Sequence, residues 1–275
     1  MTNQTFDFNR YVLTLKKELV ENKKQLLIVV LSLFSGLSIL MFFGNILFRN
    51  SILPIEKQSA IALCWVLGVF GIVVSVFASL MFNGLRDKTE RVNHLMSPAS
   101  VLEKFLVQLT IYLVGGIVAF FVCAQLADLV RIALMNIFVG ESNIVPPINF
   151  VTGVFDIEKL RIWPFSNNFG EMLSSFTLIV WILFSFALYM LGAALWPKLS
   201  FLKTLAATYV IQMVFMFAFS FLFLIDSAAI MEYLVKNVEM VVAVLNVVYL
   251  ILTVLYVVAS YVIYRRKDVI SNSWL

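Results

Sequence analysis

From Gln25 to Phe48 the chain reads "QLLIVVLSLFSGLSILMFFGNILF", a block with no charged residue, and blocks of this kind recur to the C-terminal region. A helix rises 1.5 Å per residue, so about 20 apolar residues match the hydrocarbon thickness of a bilayer. Blocks that are apolar on every face have no place around a soluble core, where one helix face must meet water. Composition points the same way: 62% of residues are hydrophobic and 13% charged, about half the charged share of a soluble domain. Mean hydropathy is +0.98. The expected fold class is an all-α integral membrane protein with six transmembrane helices.

The spans are expected at 25–47, 60–83, 104–127, 172–196, 205–225 and 238–264, with the third able to run on past Asp128 and Arg131 to Phe138. Residues 1–24 precede this body as a cytoplasmic helix, and 265–275 follow it as a cytoplasmic tail. The expectation is that no cleavable signal precedes the first span, since about two dozen polar residues come first. With the N-terminus inside, fourteen of the 20 lysines and arginines fall on the cytoplasmic side: Arg10, Lys16, Lys17, Lys23, Lys24, Arg86, Lys88, Arg91, Lys104, Lys198, Lys203, Arg265, Arg266 and Lys267. Six fall outside: Arg49, Lys57, Arg131, Lys159, Arg161 and Lys236. That asymmetry predicts a multi-pass protein of a bacterial cytoplasmic (inner) membrane with both termini in the cytoplasm. The longest outer segment, 139–170, holds Pro146-Pro147 and "RIWPFSNNFG" (Arg161 to Gly170). Proline excludes continuous helix there, so irregular structure with a short helix is expected.

Ahead of the first span, Phe8, Val12, Leu15 and Leu19 recur at steps of four, three and four, while Lys16, Lys17, Glu18, Glu21 and Lys23 take other positions. This spacing predicts an amphipathic helix lying in the membrane interface, lysines toward anionic headgroups.

Between the second and third spans runs "NGLRDKTERVNHLMSPASVLEKFL", Asn83 to Leu106. A charged stretch gives way to helix-start punctuation. Either Ser97 caps with Pro98 in the first turn, or Ser100 caps with Glu103 three residues on, as a capping box. Read from the residues, this is a docking feature or a tidy re-entry into the membrane.

The residues Leu85-Arg86, Lys88, Arg91, Leu95-Met96, Pro98-Ala99-Ser100 and Glu103-Lys104-Phe105-Leu106 resemble a pattern in the permease subunits of type-2 ABC exporters, especially the short six-span ones. Ser97 stands where that pattern carries an apolar residue. The resemblance is carried by about two dozen residues, and the six-span layout and N-terminal helix extend it along the chain. It implies that the segment is a cytoplasmic coupling helix seated in a separate ABC ATPase, two copies of which drive two permease chains, identical or related. Arg86, Lys88, Arg91, Glu103 and Lys104 would contact that partner or brace the turn, Leu95 and Met96 would give buried contact, and Ser97, Pro98 and Ser100 would shape the helix start. ATP and Mg would bind the ATPase, and no cofactor this chain.

The rest of the sequence narrows the alternatives. It has no G-x-x-x-x-G-K-[ST] loop to cradle phosphates and no HExxH; the single histidine, His94, lies in the loop. Cys64 and Cys123 sit in apolar blocks without metal-ligand spacing. The basic residues flank spans rather than forming one stripe, so no nucleic-acid partner is expected. An enzyme is therefore not expected. Polar residues within the spans are few, among them Asn45, Gln108, Gln125, Gln212 and Asn246, and no charge falls at mid-span, which disfavours an ion-coupled carrier. Asp128 and Arg131, three apart, form a candidate ion pair near the outer interface. Gly68, Gly71, Ser75, Ser79 and Gly115-Gly116 permit close helix approach, within the chain or across a dimer. The alternative to an exporter subunit is a non-transporting membrane scaffold or immunity-type protein that binds partners.

Overall fold

The computed structural model describes residues 6–49, 55–83, 99–139, 147–150, 175–196, 198–225 and 236–269. Every regular element among them is helical: α1 (Phe8–Glu21), α2 (Lys23–Arg49), α3 (Ile55–Leu80), α4 (Val101–Leu109), a π-helical turn (Thr110–Gly115), α5 (Gly116–Val139), α6 (Ser175–Leu195), α7 (Ser200–Ile225) and α8 (Val238–Val269). Six stretches are long and apolar enough to cross a membrane: Lys23–Leu47, Ile61–Leu80, Val101–Phe138, Phe176–Leu195, Ser200–Ala218 and Met240–Arg266. The third runs through to Phe138, because nothing between Gly116 and Phe138 breaks a helix. The last helix continues into the expected tail as far as Val269.

The chain divides into two compact units. One comprises residues 5–74 and 109–175. Here α2 packs along α5: the Phe42 and Phe138 rings meet edge-on at 6.4 Å, and the Cys123 thiol points at the Val30 carbonyl, 3.8 Å away. Phe70 of α3 lies against Phe120 and Phe121, centroids 4.7 and 5.2 Å apart. Asp7 caps α1 by accepting from the Asn9 amide, and the helix is tied to the body by a 2.7 Å hydrogen bond between the Tyr11 and Thr110 hydroxyls. Thr110 opens the π-helical turn. That turn ends at Gly115-Gly116, where two residues of poor α-propensity lower the cost of widening the helix.

The other unit comprises residues 1–4, 75–108 and 176–275. In it α6 and α7 form a tight hairpin through Leu199, whose φ of 56° lies in the left-handed region. The hairpin closes on Gly192: a Cβ built there would collide with Oγ1 of Thr204 and lie 2.8 Å from its Cβ and Cγ2. The Ser200 hydroxyl then donates to the Ser79 carbonyl at 2.9 Å, fixing the start of α7 to the end of α3. Phe184 of α6 packs on Tyr249 and Tyr256 of α8, and Asn246 donates to Thr177 at 3.0 Å. Within the chain the close approach falls at Gly192, while an added Cβ at Gly68 would meet nothing within 4 Å.

Gly192→Ala is expected to lower the thermal unfolding temperature in detergent, with a cost of about 1–3 kcal/mol from overpacking. In a Thr204→Gly background the same change should cost much less. Additive effects in that double-mutant cycle would show that the two residues do not meet.

Candidate functional site

Two groups of polar residues stand out, one in each unit. In the unit of residues 75–108 and 176–275, the helix start that follows the charged stretch of sequence is built around Ser100. Its hydroxyl accepts from the Glu103 amide at 3.3 Å, and the Glu103 carboxylate accepts from the Ser100 amide at 2.8 Å. This reciprocal pair is a capping box, satisfying two amides that a helix start leaves open. Glu103 is 0% and Lys104 4% exposed. Both side chains are therefore covered within this chain.

Just behind the cap, Phe105 enters an aromatic cluster. It contacts Phe82 at 6.2 Å, Tyr261 at 5.3 Å and Tyr264 at 5.8 Å between ring centroids, and Phe82 stacks on Tyr264 at 5.2 Å. Phe82, Phe105 and Tyr264 are buried. The cluster ties the end of the second span, the start of the third and the end of the last into one knot. Of the other expected partner-contact residues, Arg86, Lys88, Arg91, Leu95, Met96, Ser97 and Pro98 lie outside the described residues.

In the unit of residues 5–74 and 109–175, Asp128 and Arg131 do form an ion pair. Arg131 Nε donates to Asp128 Oδ1 at 2.7 Å, with side-chain exposures of 3% and 0%. The second carboxylate oxygen, Oδ2, accepts from the Ile148 amide at 2.9 Å, and Gln125 Nε2 donates to the Ile148 carbonyl at 3.2 Å. One face of α5, at steps of three from Gln125, thus secures both backbone groups of a residue that has no helix to satisfy them. Sequence reasoning found the pair but not its role as an anchor for the returning segment at 147–150. The stripe Gln125, Asp128, Arg131 was the available signal.

No protein-family model, no curated protein and no solved structure matches the chain.

Asp128→Leu is expected to destabilise the protein by about 3–5 kcal/mol, because it removes the carboxylate paired with the buried Arg131 and leaves the Ile148 amide without its acceptor. Asp128→Leu combined with Arg131→Met should recover much of that loss. Thermal unfolding of the purified protein checks both. Ser100→Ala should cost about 1 kcal/mol through the lost cap, read in the same assay.

Proposed function

We propose that the chain is the membrane-spanning subunit of an ATP-binding-cassette exporter in a bacterial cytoplasmic membrane, driven by a separate ATPase docked on residues 84–104. The observation that carries this reading is the braced root of that segment. A lever transmits force only if its base does not yield. Here the base is a capped helix start whose Phe105 is locked to Phe82, Tyr261 and Tyr264. A push on the loop therefore reaches the ends of two further spanning helices. The resemblance of the 85–106 stretch to type-2 exporter permeases supports the same assignment.

In this reading Arg86, Lys88 and Arg91 set docking register by charge, while Leu95 and Met96 provide apolar contact. Glu103 and Lys104, covered within the chain, brace the turn. ATP and Mg are held by two copies of the ATPase, which close against two permease chains, identical or related. The N-terminal helix serves as an interfacial elbow: Phe8, Val12 and Leu19 are exposed while Thr14 is buried, so the apolar residues are free to enter lipid.

Co-expression with candidate cytoplasmic ABC ATPases, followed by co-purification and ATPase assay, tests the docking assignment. The double charge reversal Arg86→Glu and Arg91→Glu, or deletion of residues 95–100, should weaken the complex at least about tenfold and abolish stimulation of ATP hydrolysis. Complex and stimulation unchanged in both variants would refute it. A complex that forms but never changes conformation with ATP would favour the non-transporting scaffold.

A further inference from the structure

In the unit of residues 5–74 and 109–175, a cavity of about 340 Å3 opens between α2, α3, α5 and the 147–150 segment. That volume lies within the range of about 300–1,000 Å3 usual for small-molecule pockets. Its walls are almost wholly apolar, with Phe43, Leu47 and Trp65 among the lining residues. These three are also exposed, so the cavity is open to the hydrocarbon around the helices.

Three polar side chains interrupt this lining: Asn45, Asp128 and Arg131. Asp128 and Arg131 neutralise each other at 2.7 Å, and therefore offer no net charge to an occupant. Asn45 differs. It is 9% exposed, and its Nδ2 has no hydrogen-bond partner among the described residues. A buried amide donor left unpaired is costly, and no described residue offsets that cost. An acceptor brought in by a ligand would remove that cost.

We propose that this cavity binds a neutral single-chain amphiphile, its hydrocarbon chain along the apolar walls and an ester or amide carbonyl accepting from Asn45. A carboxylate head fits poorly, because Arg131, the cation among the described lining residues, is already held by Asp128. A head without an acceptor leaves the Asn45 donor as it was. The site stands independently of the exporter reading.

The full-length protein, purified and stripped of lipid, would be titrated with monodecanoylglycerol, decanoate and decane. Thermal unfolding and native mass spectrometry follow binding. The ester should raise the unfolding temperature and bind on the order of tenfold more tightly than either other probe, the gain expected of one hydrogen bond to a buried donor. Asn45→Leu should lose that tenfold preference while unfolding no earlier than the unmodified protein when unliganded, since it removes an unsatisfied group. Gly44→Leu provides a second variant. Gly44 lines the cavity, and a Cβ there meets nothing within 4 Å, so a larger side chain starts from open space at the cavity wall and should weaken binding of all three probes. Equal affinity for ester and decane, an undiminished preference in Asn45→Leu, or no ester binding at all would overturn the proposal.

Discussion

Hydrocarbon offers no hydrogen bonds, so each peptide group at membrane depth must find its partner inside the protein. Helices meet this demand by themselves, and every regular element described here is a helix. The demand becomes specific where helix is interrupted. At Ile148 the backbone is not helical, and both its amide and its carbonyl are taken up by α5, through Asp128 and Gln125. The carboxylate that does this is wholly buried, and a buried carboxylate needs a counter-charge. Arg131, one turn on, supplies it. Three residues on one helix face thus follow from a single requirement, that a loop re-enter the fold without stranding its peptide bonds.

The same requirement sorts the polar residues of the spans into two classes. Ser38, Thr204, Thr208, Thr253 and Ser260 each return a hydroxyl to a carbonyl one turn back. Their donors are satisfied locally, which explains how Ser260 can be wholly buried. Amides are too large and too richly equipped for this solution. Gln125 spends its donor on Ile148, and Asn246 spends its donor on Thr177. Asn45 Nδ2 spends its donor on nothing, and it does so at the edge of a cavity. The difference between Asn246 and Asn45 is the difference between an amide used to join helices and one left facing space.

How far the sequence carried the fold depends on which residues are considered. That six helices are long and apolar enough to span was legible because hydrophobicity over about 20 residues is a bulk property that neighbours barely alter. The capping box was legible as an option because Ser100 and Glu103 are three residues apart, and cap chemistry is local. The Asp128–Arg131 pair was legible for the same reason. The Ile148 anchor was not, since it joins residues about 20 positions apart through a backbone group that carries no residue-specific mark. Gly192 was not singled out alongside the small residues Gly68, Gly71, Ser75, Ser79 and Gly115-Gly116. A glycine marks where a close approach is permitted, and only the partner helix decides where it is used; here Thr204 does so, from the far side of a turn. The Phe82, Phe105, Tyr261 and Tyr264 knot likewise joins distant segments whose aromatic residues, among 26 phenylalanines, gave no reason to be singled out.

Exposure offers an argument for the bilayer that does not use hydropathy at all. Of the described α7 side chains, Thr204 is buried, and those from Tyr209 to Ala218 are exposed on every face of the helix. Phe217 reaches 74% exposure. In water such a helix would be untenable, because it buries too little apolar area to offset the ordering of its chain. In hydrocarbon the balance differs: the hydrogen-bond ladder already satisfies the backbone, and apolar side chains lose nothing by facing lipid tails. What lipid cannot do is fix where α7 points. That falls to the hairpin root, where Gly192 admits Thr204 and Ser200 reaches Ser79. Orientation of the span is thus set by a few atoms at one end, and the exposed stretch from Tyr209 to Ala218 is left for lipid or a second chain to cover.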